Sequence, residues 1–273
     1  MLPRAVGVAP TGARRTRADH PALPLAPGEI AETAARCLEA GAALLHLHVR
    51  RPDGTHSLEV DDYRPALEAV RRAVSGRMIV QLTTEAVGRY SAAQQMAVVR
   101  ALHPEAASVA LREIAPDEAS LAPAAGFFDW MAREQVIAQV ILYSADEVRR
   151  YHELCRRGVI PAGRHWVLFV LGRYQAQQAA EPAELLPFLA EWGGAPVHWA
   201  VCAFGQQEAA CATLALTLGG HARVGFENNL WLPDGTRATG NEQLVAGVAR
   251  AAALLAYPLA DADTMRGWFS SGE

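Results

Sequence analysis

The sequence contains no lysine, and all 25 of its basic residues are arginines. Aldolases that form a Schiff base, pyridoxal-phosphate enzymes and P-loop nucleotide-binding proteins each need a lysine amine or ammonium group. The sequence therefore excludes these classes. If the protein acts on a carbonyl group, it needs another electrophile, and a metal ion is the obvious candidate.

Cysteines and long apolar runs are also scarce. The four cysteines, Cys37, Cys155, Cys202 and Cys211, form no C-x-x-C pair, which argues against a zinc ribbon or a thioredoxin-like redox site. No apolar run approaches the roughly 18 residues of a membrane helix, and the first residues lack the apolar segment of a signal peptide. We therefore expect a cytoplasmic protein with reduced thiols in its core.

The remaining composition is ordinary for a globular enzyme, since 51% of the 273 residues are hydrophobic and 20% are charged. A net charge of −4 gives no overall attraction to nucleic acid or to an anionic membrane surface. We expect neither of them as a partner.

Eight short apolar runs alternate with eight longer segments of helical periodicity. The apolar runs are residues 5–9, 42–48, 78–82, 107–111, 136–142, 166–171, 197–203 and 222–226. The helical segments are residues 27–40, 61–74, 91–102, 117–133, 145–157, 182–192, 206–218 and 241–257. Uninterrupted apolar strands joined by helices indicate a parallel sheet that is buried on both faces.

Eight strand–helix units predict an α/β fold, a (β/α)8 TIM barrel that forms a single domain over residues 1–273. A doubly wound sheet is the alternative. It would usually carry a G-x-G-x-x-G turn after its first strand, whereas residues 8–13 are VAPTGA. In a barrel the loops after the strands build the active site, and polar side chains collect there, among them Arg15, Tyr143 and Arg173.

His46 and His48 form an H-x-H pair in the second run, with leucines on either side. Residues i and i+2 of a strand point to the same face, so both imidazoles would face the barrel interior, about 7 Å apart along the backbone. Two neutral imidazoles in that position could provide two of the ligands of a zinc or cobalt site. The alternative is one core histidine and one loop histidine that is hydrogen-bonded to backbone.

Glu227 is the best candidate for a third ligand because it directly follows the eighth run. Strand eight of a barrel lies beside strand one and next but one to strand two. A solvated loop glutamate is the alternative. His221 begins the same run, at the opposite end of the barrel, and is a poor ligand. Of the other histidines, which fall in loops, helices or strand starts, only His20 stays under consideration.

With these segments in view, the sequence resembles the β-keto acid cleavage enzymes, of which the 3-keto-5-aminohexanoate cleavage enzymes are the best known. The resemblance covers nearly the whole chain. It rests on HPALPL (20–25), GAALLHLHVRRPDG (41–54), LTTE after the third run, PEAASVAL (104–111), FVLG (169–172) and GGHARVGFENN (219–229). HLHVR followed by PDG, together with RVGxE followed by asparagine, is a specific combination.

The resemblance implies a zinc-dependent TIM barrel that condenses a β-keto acid with acetyl-CoA and releases acetoacetate and a new acyl-CoA. Members are usually cytosolic homotetramers, so a homo-oligomer is expected. In the family the H-x-H pair and the glutamate of the RVGxE segment bind the metal, which maps onto His46, His48 and Glu227. Arg223, the arginine of that segment, would belong to the catalytic set. Ligation by two histidines and a glutamate would also accept cobalt, manganese or iron.

These residue types suit a ketone that lies two carbons from a carboxylate. A zinc ion can polarise the ketone in place of the iminium that a lysine would form. Thr83, Thr84 and Ser108 can supply donors to the substrate carboxylate, although hydroxyls that cap the next turn are the alternative. Arg223 can stabilise an enolate or alkoxide through charge-assisted hydrogen bonds, or it can form a structural ion pair.

Two departures from the family pattern affect proton transfer. Arg14 stands where the family has the glutamate of a TGAE-like segment, and Asn228 occupies the catalytic position of an aspartate but cannot act as a base. Glu85, where the family more often has glycine, is the candidate replacement, and Glu113 is a second one. Alternatively, Glu85 pairs with Arg14 or Arg89. Arg14 would favour an anionic or polar substrate tail.

Two other functions stay open from the sequence alone. One is a metal-dependent lyase, hydrolase or isomerase that acts on a small oxo acid without CoA. The other is a non-catalytic paralogue that keeps the metal ligands.

Overall fold

A computed structural model describes residues 2–173 and 179–270, so that residues 1, 174–178 and 271–273 of the predicted domain lie outside the described residues. The strands are β1 (Val6–Val8), β2 (Leu44–Leu47), β3 (Val49–Arg50), β4 (His56–Ser57), β5 (Ile79–Leu82), β6 (Ala106–Ala110), β7 (Ile137–Leu142), β8 (His165–Leu171), β9 (Trp199–Ala203) and β10 (His221–Val224). The helices are α1 (Pro27–Glu39), α2 (Val60–Val74), α3 (Ala92–Leu102), α4 (Leu111–Ile114), α5 (Leu121–Arg133), α6 (Ala145–Arg156), α7 (Leu185–Trp192), α8 (Glu208–Thr217), α9 (Asn241–Leu254) and α10 (Ala262–Phe269).

Eight of the strands close into a parallel barrel. Their order around the barrel is β1, β2, β5, β6, β7, β8, β9 and β10, and β10 pairs with β1. A helix follows each barrel strand along the chain. The predicted (β/α)8 fold is therefore confirmed, and the strand that precedes Glu227 lies next but one to the strand that carries His46.

Side chains alternate between two buried layers along each barrel strand. Val167 and Phe169 of β8 point outward and pack against the buried faces of the surrounding helices. Trp166 and Leu168 belong to a second cluster, which also includes Met265 of α10. Because successive residues of a strand point to opposite faces, the second cluster fills the barrel interior. Both faces of the eight barrel strands are thus buried, with Ile141 as the one half-buried residue, which explains the uninterrupted apolar runs.

The predicted helices and barrel strands are all present, with bounds that shift by a few residues. Short 3-10 helices at Glu118–Ser120 and Pro182–Glu184 form the first turns of two of them. The prediction missed the β3–β4 hairpin, α4 and α10, because these elements are too short to show a periodicity or follow no strand. None of the helices in residues 2–173 and 179–270 combines the length and apolar character needed to cross a membrane.

Two glycines allow the loops after β1 and β10 to touch. Gly225 has a φ of +137°, and an added Cβ would lie 2.4 Å from the carbonyl oxygen of Ala9. Gly12 has a φ of +67°, and its Cβ would lie 2.8 Å from Cγ of Glu227. A hydrogen bond joins the same two loops, since the N–H of Glu227 donates to the carbonyl oxygen of Ala9 over 3.0 Å. The backbone that carries Glu227 therefore needs glycine at both positions.

The Gly225→Ala substitution should lower the free energy of unfolding by about 1–3 kcal/mol, because alanine would occupy a left-handed conformation and crowd Ala9. Urea titration monitored by circular dichroism measures this loss. The control is Gly247→Ala within α9, where a Cβ would meet no atom within 4 Å. There the better helix propensity of alanine should raise stability by about 0.5–1 kcal/mol. Equal effects of the two substitutions would contradict the assigned role of Gly225.

Candidate active site

The two histidines of the H-x-H pair converge at the carboxyl end of β2. His46 and His48 are 2% and 1% exposed, and their Nε2 atoms lie 3.1 Å apart. His46 occupies the same face of β2 as Leu44, which belongs to the interior cluster. His46 therefore faces the barrel interior, and His48, which directly follows β2, places its Nε2 atom beside that of His46 rather than on a backbone group of the described residues.

Glu227 reaches the same point from the turn after β10. Its Oε2 atom lies 3.6 Å from Nε2 of His46, and its Oε1 atom lies 3.5 Å from Nε2 of His48. The turn is fixed by the contacts of Gly12 and Gly225 described above. The side chains that the sequence singled out as metal ligands thus come together from β2 and from the loop after β10.

The atoms of this cluster fit a divalent metal ion. One ligand atom from each of His46, His48 and Glu227 can be chosen so that all three lie within 4.8 Å of one another. Nδ1 of His46 lies 2.8 Å from Oε1 of Gln81, which assigns the ring proton to Nδ1 and leaves a lone pair on Nε2. Oε2 of Glu227 is buried without a hydrogen-bond partner among the described residues. Two imidazole nitrogens and a carboxylate are a known catalytic zinc donor set.

The electrostatic environment keeps His46 and Glu227 in their metal-binding forms. Burial, together with the positive charge of Arg223, lowers the pKa of His46 well below its usual value, so the imidazole is neutral. Burial alone would raise the pKa of Glu227, but the positive charge of Arg223 holds that pKa well below its usual value. A neutral imidazole and an ionised carboxylate are the forms that coordinate metal.

Arg223 lies inside the barrel beside this cluster. Its Nη2 atom is 3.6 Å from Oε2 of Glu227 and donates to Sγ of Cys202 over 3.3 Å. The residue is 5% exposed, and its Nε and Nη1 atoms have no hydrogen-bond partner among the described residues. A buried guanidinium with unused donors is suited to bind a ligand that carries or develops negative charge.

An open cavity of about 700 Å³ leads to the cluster from the carboxyl ends of the strands. Its wall includes His46, Arg223 and Glu227. Other polar groups on the wall come from the loops after the remaining strands, namely Arg14, Arg15, Thr83, Thr84, Glu85, Glu113, Tyr143 and Arg173. The polar residues that follow the apolar runs therefore gather in one place, as a barrel requires.

The hydroxyl groups predicted to bind a substrate carboxylate have different partners. Thr83 Oγ1 accepts the backbone N–H of Glu85 over 3.1 Å, which leaves its own O–H available to donate. Thr84 Oγ1 donates to the carbonyl oxygen of Ser108 over 2.8 Å, so its proton is already used. Ser108 is buried outside the cavity wall, and its Oγ has no partner among the described residues.

Glu85 lies in an ion-pair cluster with two arginines. Nη2 of Arg173 donates to its Oε1 atom over 3.2 Å, and Nε of Arg14 is 3.9 Å from the same oxygen. This is the pairing of Glu85 and Arg14 that the sequence offered as an alternative to a catalytic base. The second ion-pair partner of Glu85 is Arg173 and not Arg89, the other partner that the sequence suggested. Arg89 forms no ion pair within the described residues.

Glu113 has a different environment from Glu85 although it lies on the same cavity wall. Its Oε2 atom accepts the N–H of Ala86 over 3.2 Å, and no arginine in the described residues lies within ion-pair distance. Burial raises the pKa of Glu113 above its usual value, and the negative charge of Glu85 acts in the same direction.

Asn228 follows Glu227 but does not line the cavity. It is fully buried, and neither atom of its amide has a hydrogen-bond partner among the described residues. Its backbone carbonyl oxygen accepts hydrogen bonds from Nη2 of Arg15 over 3.1 Å and from the N–H of Gly205 over 3.1 Å. The residue thus fixes the loop after β10, in which the metal-ligand candidate lies.

Three residues that support the site were missed by sequence reasoning. Gln81 orients His46, and a polar residue inside the apolar run of β5 was the available signal. Arg50 donates to the carbonyl oxygens of Gly12 and Arg15 and so holds the loop after β1. Glu208 accepts the N–H of Gly225, and burial raises its pKa to about 8.

Two other histidines have structural contacts. Nε2 of His20 lies 2.8 Å from the carbonyl oxygen of Ala238, and its ring packs against that of Phe226 with an angle of 44° between the ring planes. His221 accepts the N–H of Ala5 at the far end of the barrel, in agreement with its predicted exclusion from the ligand set.

The closed parallel barrel and the three ligand-type side chains at its mouth define a (β/α)8-barrel enzyme with a candidate metal centre. Residues 3–270 match the family described as beta-keto acid cleavage enzyme, and the chain belongs to this family. It is 30% identical over 260 residues to a 3-keto-5-aminohexanoate cleavage enzyme of Fusobacterium nucleatum, with 93% of each chain covered. It is 29% identical to a 3-oxoadipate:acetyl-CoA acetyltransferase of Cupriavidus necator, covering 97% of this chain and 99% of that protein.

A solved structure similar to this chain is the apo form of ObcA, with a TM-score of 0.73 at 20% sequence identity. The match covers 91% of this chain, which spans 65% of the length of ObcA. At this identity the likeness supports the barrel fold.

Proposed function

We propose that the protein transfers carbon between a β-keto acid and acetyl-CoA, giving acetoacetate and a new acyl-CoA. C2 of the keto acid loses a proton and bonds to the acetyl carbon, which releases the CoA thiolate. The thiolate then attacks C3, the C2–C3 bond breaks, and C2 regains a proton as acetoacetate leaves. The buried cluster of His46, His48 and Glu227, with Arg223 beside it at the end of one cavity, is the observation that carries this proposal.

The cluster of His46, His48 and Glu227 is proposed to hold zinc. Bound there, the ion would act as a Lewis acid on the ketone oxygen of the substrate. The lone pair on Nε2 of His46, fixed by Gln81, and the unpartnered Oε2 of Glu227 support this assignment. Homo-oligomeric assembly and a cytoplasmic location stay predictions from the resemblance and the composition.

Arg223 and Thr83 are proposed to bind the oxygens of the substrate. The unused Nε and Nη1 donors of Arg223 suit the negative charge that develops on the ketone oxygen when C2 loses its proton. The O–H of Thr83 is available to the substrate carboxylate. Thr84 forms part of the cavity wall, and its hydroxyl donates to the carbonyl oxygen of Ser108. Asn228 has a positioning role, because its backbone carbonyl oxygen is held by Arg15 next to Glu227.

Proton transfer at C2 needs a carboxyl group in place of the aspartate that Asn228 replaces. Glu85 and Glu113, the two candidates from the sequence, both line the cavity. We assign the transfer to Glu113, because a proton carrier works best with a pKa closer to neutrality and with an oxygen that is not held by an arginine. The ion pairs of Glu85 with Arg173 and Arg14 favour its second predicted role, as a partner that shapes the pocket.

The reaction itself is tested by incubating metal-loaded protein with six-carbon β-keto acids and acetyl-CoA, with detection of products by mass spectrometry. Acetoacetate and a new acyl-CoA should appear together, in equal amounts, and only when acetyl-CoA is present. Product formed without acetyl-CoA would contradict the proposal and indicate a lyase or hydrolase. The absence of product with every keto acid would indicate a non-catalytic paralogue.

The metal ligands are tested by the zinc content of His46→Ala. The substitution removes one of three donors, so stoichiometric zinc, measured by inductively coupled plasma mass spectrometry, should be lost while the circular dichroism spectrum is unchanged. The matched control is His103→Ala, which removes a half-exposed histidine that pairs with Glu134 on the surface. Zinc content equal to that of the control would refute the assignment of His46.

The proton carrier is tested by comparing Glu113→Gln with Glu85→Gln. Glu113→Gln should lower kcat by about 100-fold or more, the usual range for loss of a general base, with zinc content unchanged. A base must be ionised, so wild-type kcat should fall as the pH decreases through a pKa above the usual glutamate value, and Glu113→Gln should lose this dependence. If instead Glu85→Gln causes the larger loss and removes the pH dependence, the assignment to Glu113 is wrong and Glu85 is the base.

A further inference from the structure

The wall of the active-site cavity carries more positive charge than its acids compensate. Arg14 and Arg173 both approach one oxygen, Oε1 of Glu85, at 3.9 and 3.2 Å. We refer to these residues as the Arg14–Glu85–Arg173 cluster. Two guanidinium groups and one carboxylate leave a charge of +1 in this cluster.

The other charged groups of the wall do not cancel this surplus. Glu227 lies 3.6 Å from Arg223 and belongs to the proposed metal site. Glu113 forms no ion pair within the described residues, although the charge of Arg173 acts on it. With Glu113 counted as ionised, the wall still has four arginines (Arg14, Arg15, Arg173 and Arg223) against three glutamates (Glu85, Glu113 and Glu227). Arg15 adds a further guanidinium to the wall, and its Nη2 donates to a backbone carbonyl. One positive charge of the cluster is therefore available to an anion that enters the cavity.

The guanidinium of Arg173 and the loop that carries Arg14 are held in place before any ligand binds. The side chain of Arg173 is only 14% exposed, and its guanidinium lies over the ring of Phe204 at 5.1 Å. Arg14 is on the loop after β1, whose carbonyl oxygens at Gly12 and Arg15 accept three hydrogen bonds from Arg50. Charges fixed at the edge of a partly buried cavity are less screened than charges on an open surface.

We propose that the Arg14–Glu85–Arg173 cluster binds a carboxylate at the distal end of the substrate, so that the preferred substrates are β-keto dicarboxylic acids. This inference rests on the proposed function for the β-keto acid part of the ligand. The planar donor fork of arginine matches a carboxylate, whereas an ammonium tail would meet the surplus positive charge and a neutral tail would leave it unpaired. The proximal carboxylate and the ketone are bound at the other groups of the cavity, Thr83 and Arg223.

The test compares the binding of three six-carbon acids by isothermal titration calorimetry, with metal-loaded protein and no acetyl-CoA. These are 3-oxoadipate with a carboxylate tail, 3-oxohexanoate with a neutral tail, and 3-oxo-5-aminohexanoate with an ammonium tail. Wild-type protein should bind 3-oxoadipate about tenfold or more tightly than 3-oxohexanoate, the size expected for one hydrogen bond between charged groups, and the ammonium acid most weakly.

Arg14→Gln should reduce the preference for 3-oxoadipate over 3-oxohexanoate to about threefold or less, and Arg14→Glu should reverse the order of 3-oxoadipate and the ammonium acid. Arg14 is 60% exposed, so both variants should fold. The matched control is Arg17→Gln, on the same loop, whose guanidinium pairs with Glu29 outside the cavity wall. The control should keep the wild-type preference.

Three results would overturn the inference. Wild-type protein could bind 3-oxohexanoate as tightly as 3-oxoadipate. Arg14→Gln could weaken both acids equally, which would assign the cluster to the proximal carboxylate. Arg14→Gln could instead leave both affinities unchanged and raise only the KM for acetyl-CoA, which would assign the cluster to a CoA phosphate.

The outcome is separable from that of the proposed function, because binding is measured without turnover. Tight binding of 3-oxoadipate through Arg14 with no acetoacetate formed would refute the function and keep the subsite. Turnover without a tail preference would refute the subsite alone. The absence of binding by all three acids would refute both.

Discussion

The active site depends on the convergence of three buried electron-pair donors at the mouth of the barrel. His46 lies in β2, His48 directly follows that strand, and Glu227 comes from a turn two strands away around the barrel. Such a group is costly to bury unless a cation compensates it, since the lone pairs lose water and gain no donor. Arg223 supplies part of that compensation at 3.6 Å from Glu227, and a divalent ion is proposed to supply the rest. Much of the surrounding structure serves to hold this arrangement: Gln81 behind His46, and two glycines beside Glu227.

The absence of lysine gives the cavity a uniform kind of positive charge. Every cation on its wall is a guanidinium, which stays protonated at any physiological pH and cannot act as a nucleophile or a proton carrier. Electrophilic activation is therefore left to the proposed metal ion, and proton transfer is left to carboxyl groups. Glu85 and Glu113 illustrate how one cavity can separate two such groups. Glu85 forms ion pairs with Arg14 and Arg173, whereas Glu113 is half-buried and forms no ion pair within the described residues.

The barrel and the convergence of His46, His48 and Glu227 were predictable from the sequence because both follow from local patterns. Strands buried on two faces are uninterrupted apolar runs, and a spacing of two places His46 and His48 on one side of β2. Glu227 was a candidate because it directly follows the eighth apolar run, where the carboxyl end of a barrel strand is expected. The arrangement of side chains across loops was not predictable in this way. The partner of Glu85 is Arg173, which is distant in the sequence, and only the closed barrel brings the two together. Arg50 and Glu208 act through backbone groups of neighbouring loops, for which a single sequence carries no periodic signal.

The central claim is that one divalent ion is held by two imidazoles and a carboxylate inside the barrel mouth. X-ray absorption spectroscopy at the zinc edge, on protein loaded with one equivalent of zinc, tests this claim most directly. The account predicts a first shell of nitrogen and oxygen atoms at about 2.0–2.2 Å, with the outer-shell scattering of two imidazole rings. Sulfur scattering at about 2.3 Å, or a shell of oxygen atoms without imidazole scattering, would contradict it.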